Sequence, residues 1–328
     1  MLAYAFRRLG QSVIVLAAMS LLVFVGVYAI GNPIELLVNP EADDTERARA
    51  AAALGLDKSL WVQYGTFLVR AAHGDLGNSF VYNVPAIHLI VERLPATLEL
   101  ALAATLLGIL IGIPLGLVAG LKPHSWVGRG IMAGSILGFS LPTFWVGLVL
   151  IMVFSVQLGW LPPNGRGATV TLAGIPVSFL TWDGLKHLAM PAFNLALLRL
   201  ALMIRLTRAG TREAILQDYV KFARAKGLTM RRVIGVHVLK NIMIPIVTVI
   251  GLELGSVIAF AIVTESIFAW PGTGKLLIDS INQLDRPVVV AFLMVVVTLC
   301  VGINFVVDVL YSLLDPRVRL GGAPAAAH

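Results

Sequence analysis

Of 328 residues, 58% are hydrophobic and only 13% are charged, with a formal net charge of +7. That balance excludes an ordinary water-soluble globular domain. It also excludes nucleic acid as the reason for the positive charge, because no basic stripe interleaved with aromatics sits on a soluble framework.

The N-terminal MLAYAFRRLGQSVIVL has the charged start of a secretory leader in Arg7 and Arg8. The apolar run that follows, Ser12 to Ile30, exceeds the ~7–15 residues of a leader core and ends without a small-residue cleavage site. It reads as a retained first span, Leu9–Ile30. Residues 31–95 then form a segment too long for a simple connection. Asp43 starts a helix signature, an alanine run follows, and Gly55 suits its end, which predicts a short surface helix. Asp75-Leu76-Gly77-Asn78-Ser79 reads as a turn.

Five further apolar runs are long enough to cross a ~30 Å hydrocarbon core. They are Ala96–Gly120, Gly130–Leu158, Leu188–Thr207, Asn241–Glu265 and Pro287–Leu313. Pro142 is expected to kink or break the third span. With the N-terminus inside, fifteen cationic residues lie inside: Arg7, Arg8, Lys122, Arg129, nine between positions 205 and 240, Arg317 and Arg319. Nine lie in the much longer outside segments, and Arg199 falls within a span. That bias orients both termini inward.

The largest cationic element joins spans four and five. It reads RLTRAGTREAILQDYVKFARAKGLTMRRVIGVHVLK, Arg205 to Lys240, with only Glu213 and Asp218 as acids. Ala214, Ile215, Tyr219, Phe222, Ala223 and Ala225 define the apolar side of an amphipathic helix from about Thr211 to Lys226. Gly227 ends it, and Thr229 caps a second helix that runs to about Lys240. Such a hairpin suits either a protein partner or anionic headgroups.

Charges at membrane depth are candidates for function. Arg199 and Glu253 both reach mid-depth, as a candidate pathway element or an intramembrane pair. Glu99 and Glu265 are expected at the interface, and Asp308 near a basic inner residue. Trp270-Pro271-Gly272-Thr273-Gly274-Lys275-Leu276 looks like a phosphate loop but lacks its first glycine, where Ala269 stands, and its Ser or Thr, where Leu276 stands. A turn at the mouth of a pathway is the better reading. The six histidines show no paired metal spacing, and no nucleophile and base are grouped, so no metal site and no catalysis are expected. The lone Cys300 closes no intrachain disulfide and reads as a small core residue.

The stretch Ala223-Arg224-Ala225-Lys226-Gly227 resembles the signature loop of membrane subunits of bacterial ABC importers, which sets a glycine four residues after the second alanine of Glu-Ala-Ala. The leading Glu falls on Lys221, the first Ala on Phe222, and the later Leu-Pro on Leu239-Lys240 with Pro245 further on. Further stretches are similar, in order, to the first permease subunit of dipeptide and oligopeptide importers. These include Gly74–Phe80, Arg93–Leu100, Ser140–Trp145, Gly159–Pro162, His187–Ala192, Asp218–Val220, Glu265–Gly274, and Asp308 with Asp315–Arg317.

The resemblance implies an all-α membrane protein with six transmembrane helices, both termini inside, and the type I importer permease fold. It implies segment 1–30 with the first span, an extracytoplasmic subdomain 31–95 for binding-protein docking, a core 96–313 with a cytoplasmic loop 208–240, and a tail 314–328. It implies partners: a second homologous permease, two ATP-binding subunits (or one fused ATPase pair) that hold ATP and Mg, and an extracytoplasmic peptide-binding protein. This chain itself would bind no cofactor. Asp218, Tyr219, Ala223, Arg224, Ala225, Lys226 and Gly227 would form the ATPase-coupling helix, and Asp75, Gly77 and Ser79 would lie in the docking region. A nickel or haem importer, and a self-sufficient carrier or channel, remain as alternatives.

Overall fold

The computed structural model describes residues 2–29, 43–53 and 57–314. The expected helix stop at Gly55, the whole of segment 31–42 and the tail 315–328 lie outside the described residues. The chain divides into two compact units, 1–94 with 275–328, and 95–274. The last span groups with the N-terminal segment.

The first unit contains α1 (Leu2–Ala29), α2 (Asp44–Ala53), α3 (Leu60–Ala72), the start of α4 (Ala86–Leu121), most of α11 (Thr273–Asn282) and α12 (Arg286–Leu314). α1 packs along α12. The Asp43 carboxylate caps α2, accepting from the amides of Thr45 at 2.7 Å and Glu46 at 3.0 Å. α3 leans on α1: the Tyr64 and Ser20 hydroxyls hydrogen-bond at 2.8 Å, and Phe24 lies 5.2 Å from the Tyr64 ring and 6.0 Å from Phe67.

The second unit is built on α4, α7 (Trp182–Leu216) and α10 (Leu239–Ile267). Ala96, Leu100, Ala101 and Ala104 of α4 pack with Leu188, Ala192, Leu195, Ala196 and Leu200 of α7 and with Val257 and Ala261 of α10. Further along α4, Gly108, Gly112, Gly116 and Gly120 form one row. A methyl group there would meet, in step, Arg199, Met203, Thr207 and Thr211 of α7. Both rows advance together, so α4 and α7 are parallel, and the missing side chains let their backbones meet closely. Asn194 donates to Thr264 at 3.1 Å and ties α7 to α10.

Between α4 and α7 come α5 (Trp126–Ser140) and α6 (Thr143–Leu150), the latter prolonged by a π-helical turn, Ile151–Gln157. Pro142 stands at the N-cap of α6, and the two helices meet at 105°. The break expected at that proline is therefore a sharp corner. A two-stranded antiparallel hairpin follows, β1 (Val170–Leu172) with β2 (Ile175–Val177), turning at Ala173 and Gly174 with φ of 50° and 84°. This hairpin departs from the all-α expectation. After α7 come the short α8 (Asp218–Ala225) and α9 (Met230–Arg232), which runs through a π turn, Val233–Val238, into α10.

Among the described residues, four helices are long and apolar enough to cross a membrane, and up to six spans result if each of two bent pairs is counted as one.

Candidate functional site

α7 is longer than its apolar stretch. It continues through Arg205, Arg208 and Arg212 and stops at Gln217, whose ψ of 150° breaks the helix. The helix expected from Thr211 to Lys226 is therefore two pieces, the end of α7 and the separate α8. Val220 and Ala223 seat α8 against Ala214, Val233, Val238 and Ile242. Its far end closes with Gly227 in the left-handed region at φ 75°. The Gly227 amide donates to the Arg224 carbonyl at 2.9 Å and the Leu228 amide to the Ala223 carbonyl at 3.3 Å, the paired bonds of a glycine C-cap.

Three of the apolar residues assigned to the packed side of this helix point the other way. Tyr219 is 38% exposed and Phe222 62%, and Ala225 is exposed as well. Asp218, Lys221, Arg224, Lys226 and Gly227 share this open surface. The Lys226 ammonium lies 4.5 Å over the Phe222 ring, and Lys221 bonds Asp218 at 2.9 Å. That bond holds the Asp218 carboxyl below the ordinary carboxylate range. The result is an aromatic patch with a cationic rim on a short, firmly capped helix. Of the seven residues in the predicted coupling set, only Ala223 is buried.

Arg199 and Glu253 come together at one narrow recess, lined also by Thr105, Gly108 and Met203. Arg199 is buried, and Nη1 donates to the Leu195 carbonyl at 2.9 Å, while its Nε has no partner among the described residues. Glu253 accepts from Ser256 at 3.0 Å. The two charges face one another from α7 and α10 without a direct ion pair among the described residues. They attract at a distance.

At the opposite end of the second unit, Glu99 and Glu265 are both buried. Glu99 accepts from Arg166 Nε at 3.0 Å and Nη2 at 2.5 Å, from the Ser178 amide at 2.7 Å and hydroxyl at 2.8 Å, and from the Phe179 amide at 2.8 Å. One carboxylate on α4 thus pins both ends of the segment carrying the hairpin. The Glu265 carboxylate accepts from the Gly274 amide at 2.7 Å and fills the space beside Gly272. Trp270 is fully buried, and its indole donates to the Ala96 carbonyl at 2.9 Å. The segment that resembles a phosphate loop is thus a packed turn. Nothing in the hydropathy of a single glutamate marks these networks; the signal was a carboxylate in an otherwise apolar span.

In the first unit, Asp75 is exposed, bonds Arg70 at 2.8 Å and accepts from the Gly77 amide at 3.0 Å, as expected of a turn. The Arg70 bond first, and the Gly77 amide second, lower the Asp75 carboxyl below its ordinary value. Ser79 is not a surface residue: it is 1% exposed, and its hydroxyl donates to Asp285, which also accepts from the Phe80 amide at 3.0 Å. Its hydroxyl fastens the turn to the start of α12. The side chain of Asp308 lies outside the described residues.

These features define a polytopic helical membrane protein whose largest cationic element presents one short helix. Residues 112–320 match the model of the binding-protein-dependent transport system inner membrane component family, and residues 1–101 match its N-terminal companion. The chain belongs to that family of membrane transport components. It is 42% identical to the di/tripeptide transport system permease protein DppB of Pseudomonas aeruginosa, over 97% of this chain and 99% of that one. It is 38% identical to the oligopeptide transport system permease protein AppB of Bacillus subtilis, over 97% and 100%. A solved chain of the MetNI methionine ABC transporter, in an inward-facing conformation, shares the fold with a TM-score of 0.52 and 16% identity, covering 69% of this chain and 96% of that chain.

Proposed function

We propose that this chain is the permease subunit of an ATP-driven importer of dipeptides or oligopeptides, forming half of the translocation pathway. The carrying observation is full-length similarity, at 36–42% identity, to proteins named as peptide permeases. A second homologous permease, two ATP-binding subunits and an extracytoplasmic binding protein complete the assembly.

Six spans with both termini inside fit the geometry. α4 and α7 run parallel, so the chain between them must return across the same thickness. Only α5 with α6 is available for that, which supports reading the bent pair as a span. The cationic end, with α8, then faces the cytoplasm.

α8 is the element that meets an ATP-binding subunit. It follows α7 and leads, through α9 and the π turn, into α10, and its rigid cap lets a push on Tyr219 and Phe222 reach both helices as a body. Arg199 and Glu253 lie on those same two helices, at one shared recess, and line the pathway. Asp75 and Gly77 remain available to a soluble binding protein.

The test is purification of the tagged chain from its own membrane. ATP-binding subunits, a homologous permease and a peptide-binding protein should accompany it, and the ATP-binding subunits should be lost on Gly227→Asp. Recovery of the chain alone, under conditions that retain other membrane complexes, favours a self-sufficient carrier.

A further inference from the structure

The helix α3 is amphipathic in an unusual proportion. Gln63, Thr66 and Arg70, at spacings of three and four, form its only polar row. From Leu60 through Val69 it carries no charge at all. One apolar side, Tyr64 and Phe67, packs on α1 through Phe24. The other, with Trp61 80% exposed, Val62 50%, Leu68 39% and Val69 61%, has no protein against it among the described residues.

The place where α3 touches α1 says what covers that face. The apolar span of α1 covers Arg8–Gly26, and the Tyr64 hydroxyl bonds Ser20 within it. Ser20 stands six residues before the end of that span, about 9 Å inside the boundary at ~1.5 Å per residue. Interfacial helices bury their apolar faces ~5–10 Å into the headgroup and acyl boundary. The neighbouring surface of α1 is itself apolar and open, with Leu21 43%, Leu22 64% and Val25 57% exposed. The open face of α3 continues a lipid-facing surface.

We propose that α3 lies in the bilayer interface, with Trp61, Val62, Leu68 and Val69 covered by lipid and the Gln63-Thr66-Arg70 row turned to water. The segment expected to be a docking subdomain is thus partly a membrane anchor. Any soluble partner is left with the turn that follows. The outcome does not depend on which substrate is carried.

The experiment places single nitroxide labels on the assembled complex, in a Cys300→Ser background, in vesicles of phosphatidylcholine and phosphatidylglycerol. Labels at Trp61→Cys, Val62→Cys, Val69→Cys, Thr66→Cys and Glu46→Cys are compared for collision with oxygen and with a water-soluble nickel chelate. Positions 61, 62 and 69 should favour oxygen, and 66 and 46 the chelate. A chelate preference at 61, 62 and 69, or protection there only after adding the soluble binding protein, overturns the assignment. Because these four α3 side chains are exposed, labelling them does not disturb packing.

Discussion

Replacing Glu99 by alanine should unfasten the hairpin segment from α4. The Glu99 side chain is 3% exposed and Arg166 10%, so the pair is shielded from water. Removing one partner of a buried pair typically costs about 3–5 kcal/mol, because the remaining charge is left without compensation. The amides of Ser178 and Phe179 also lose their acceptor, and each buried orphan donor is worth about 1–3 kcal/mol. These costs do not add in full. The Ser178 hydroxyl can rotate, and Arg166 keeps its bond to the Pro176 carbonyl at 2.7 Å. A total near 3–5 kcal/mol is expected for Glu99→Ala. Glu99→Gln keeps one carbonyl acceptor and should cost less, about 1–3 kcal/mol. Thermal unfolding of the detergent-purified complex reads the ordering, and limited thermolysis reads its location, with new cleavage between residues 158 and 181. In a double-mutant cycle, Glu99→Ala with Arg166→Met should cost less than the two separately. Wild-type melting and no new cleavage in Glu99→Ala would refute the idea that this carboxylate organises the segment.

Gly116→Leu should destabilise by about 1–3 kcal/mol or more, since its Cβ would lie 2.5 Å from the Thr207 Cβ and 2.8 Å from the Ile204 carbonyl. Gly130→Leu, with nothing within 4 Å, is the matched control, and equal melting of the two would contradict the close α4–α7 contact. Phe222→Asp should reduce co-purification of ATP-binding subunits while leaving melting within about 0.5 kcal/mol of wild type, as for an exposed substitution. Retention of those subunits at wild-type levels would remove α8 as their contact. The Asp75 turn should loosen only in acid. Its carboxyl binds a proton less tightly when folded, so its contribution is complete above the unfolded value of about 3.9 and is lost as pH falls through the lower folded value. The protection of the Gly77 amide against exchange, after division by the intrinsic pH-dependent rate, should therefore fall below about pH 4 and stay constant from there to neutrality.

Much of this architecture is visible in the chain before any folding. Hydropathy marks the spans because lipid demands long apolar runs, and the Pro142 corner, the Asp43 cap and the Gly227 cap follow from local chemistry that needs no distant partner. The end of α7 is different. Arg205, Arg208 and Arg212 stop a hydropathy window at Thr207, yet the helix goes on to Leu216, because hydropathy reports membrane depth and not helix length. Tyr219 and Phe222 look like core residues by composition. Only the seating of α8 on Val220 and Ala223 reveals that they face out. Ser79 and Glu99 are polar residues whose burial depends on partners 206 and 67–80 residues away, respectively. No local pattern carries that information. The hairpin at Ala173-Gly174 escaped notice because alanine seldom takes a positive φ, so the usual Asn-Gly or Asp-Gly signal was absent.

The most direct measurement is uptake of a labelled dipeptide into proteoliposomes holding the purified complex, with the binding protein outside and ATP supplied to the face that carries α8. Uptake that requires ATP, and that falls to background when this chain carries Phe222→Asp, is the predicted result. Peptide uptake that continues without ATP or without the ATP-binding subunits would contradict the account.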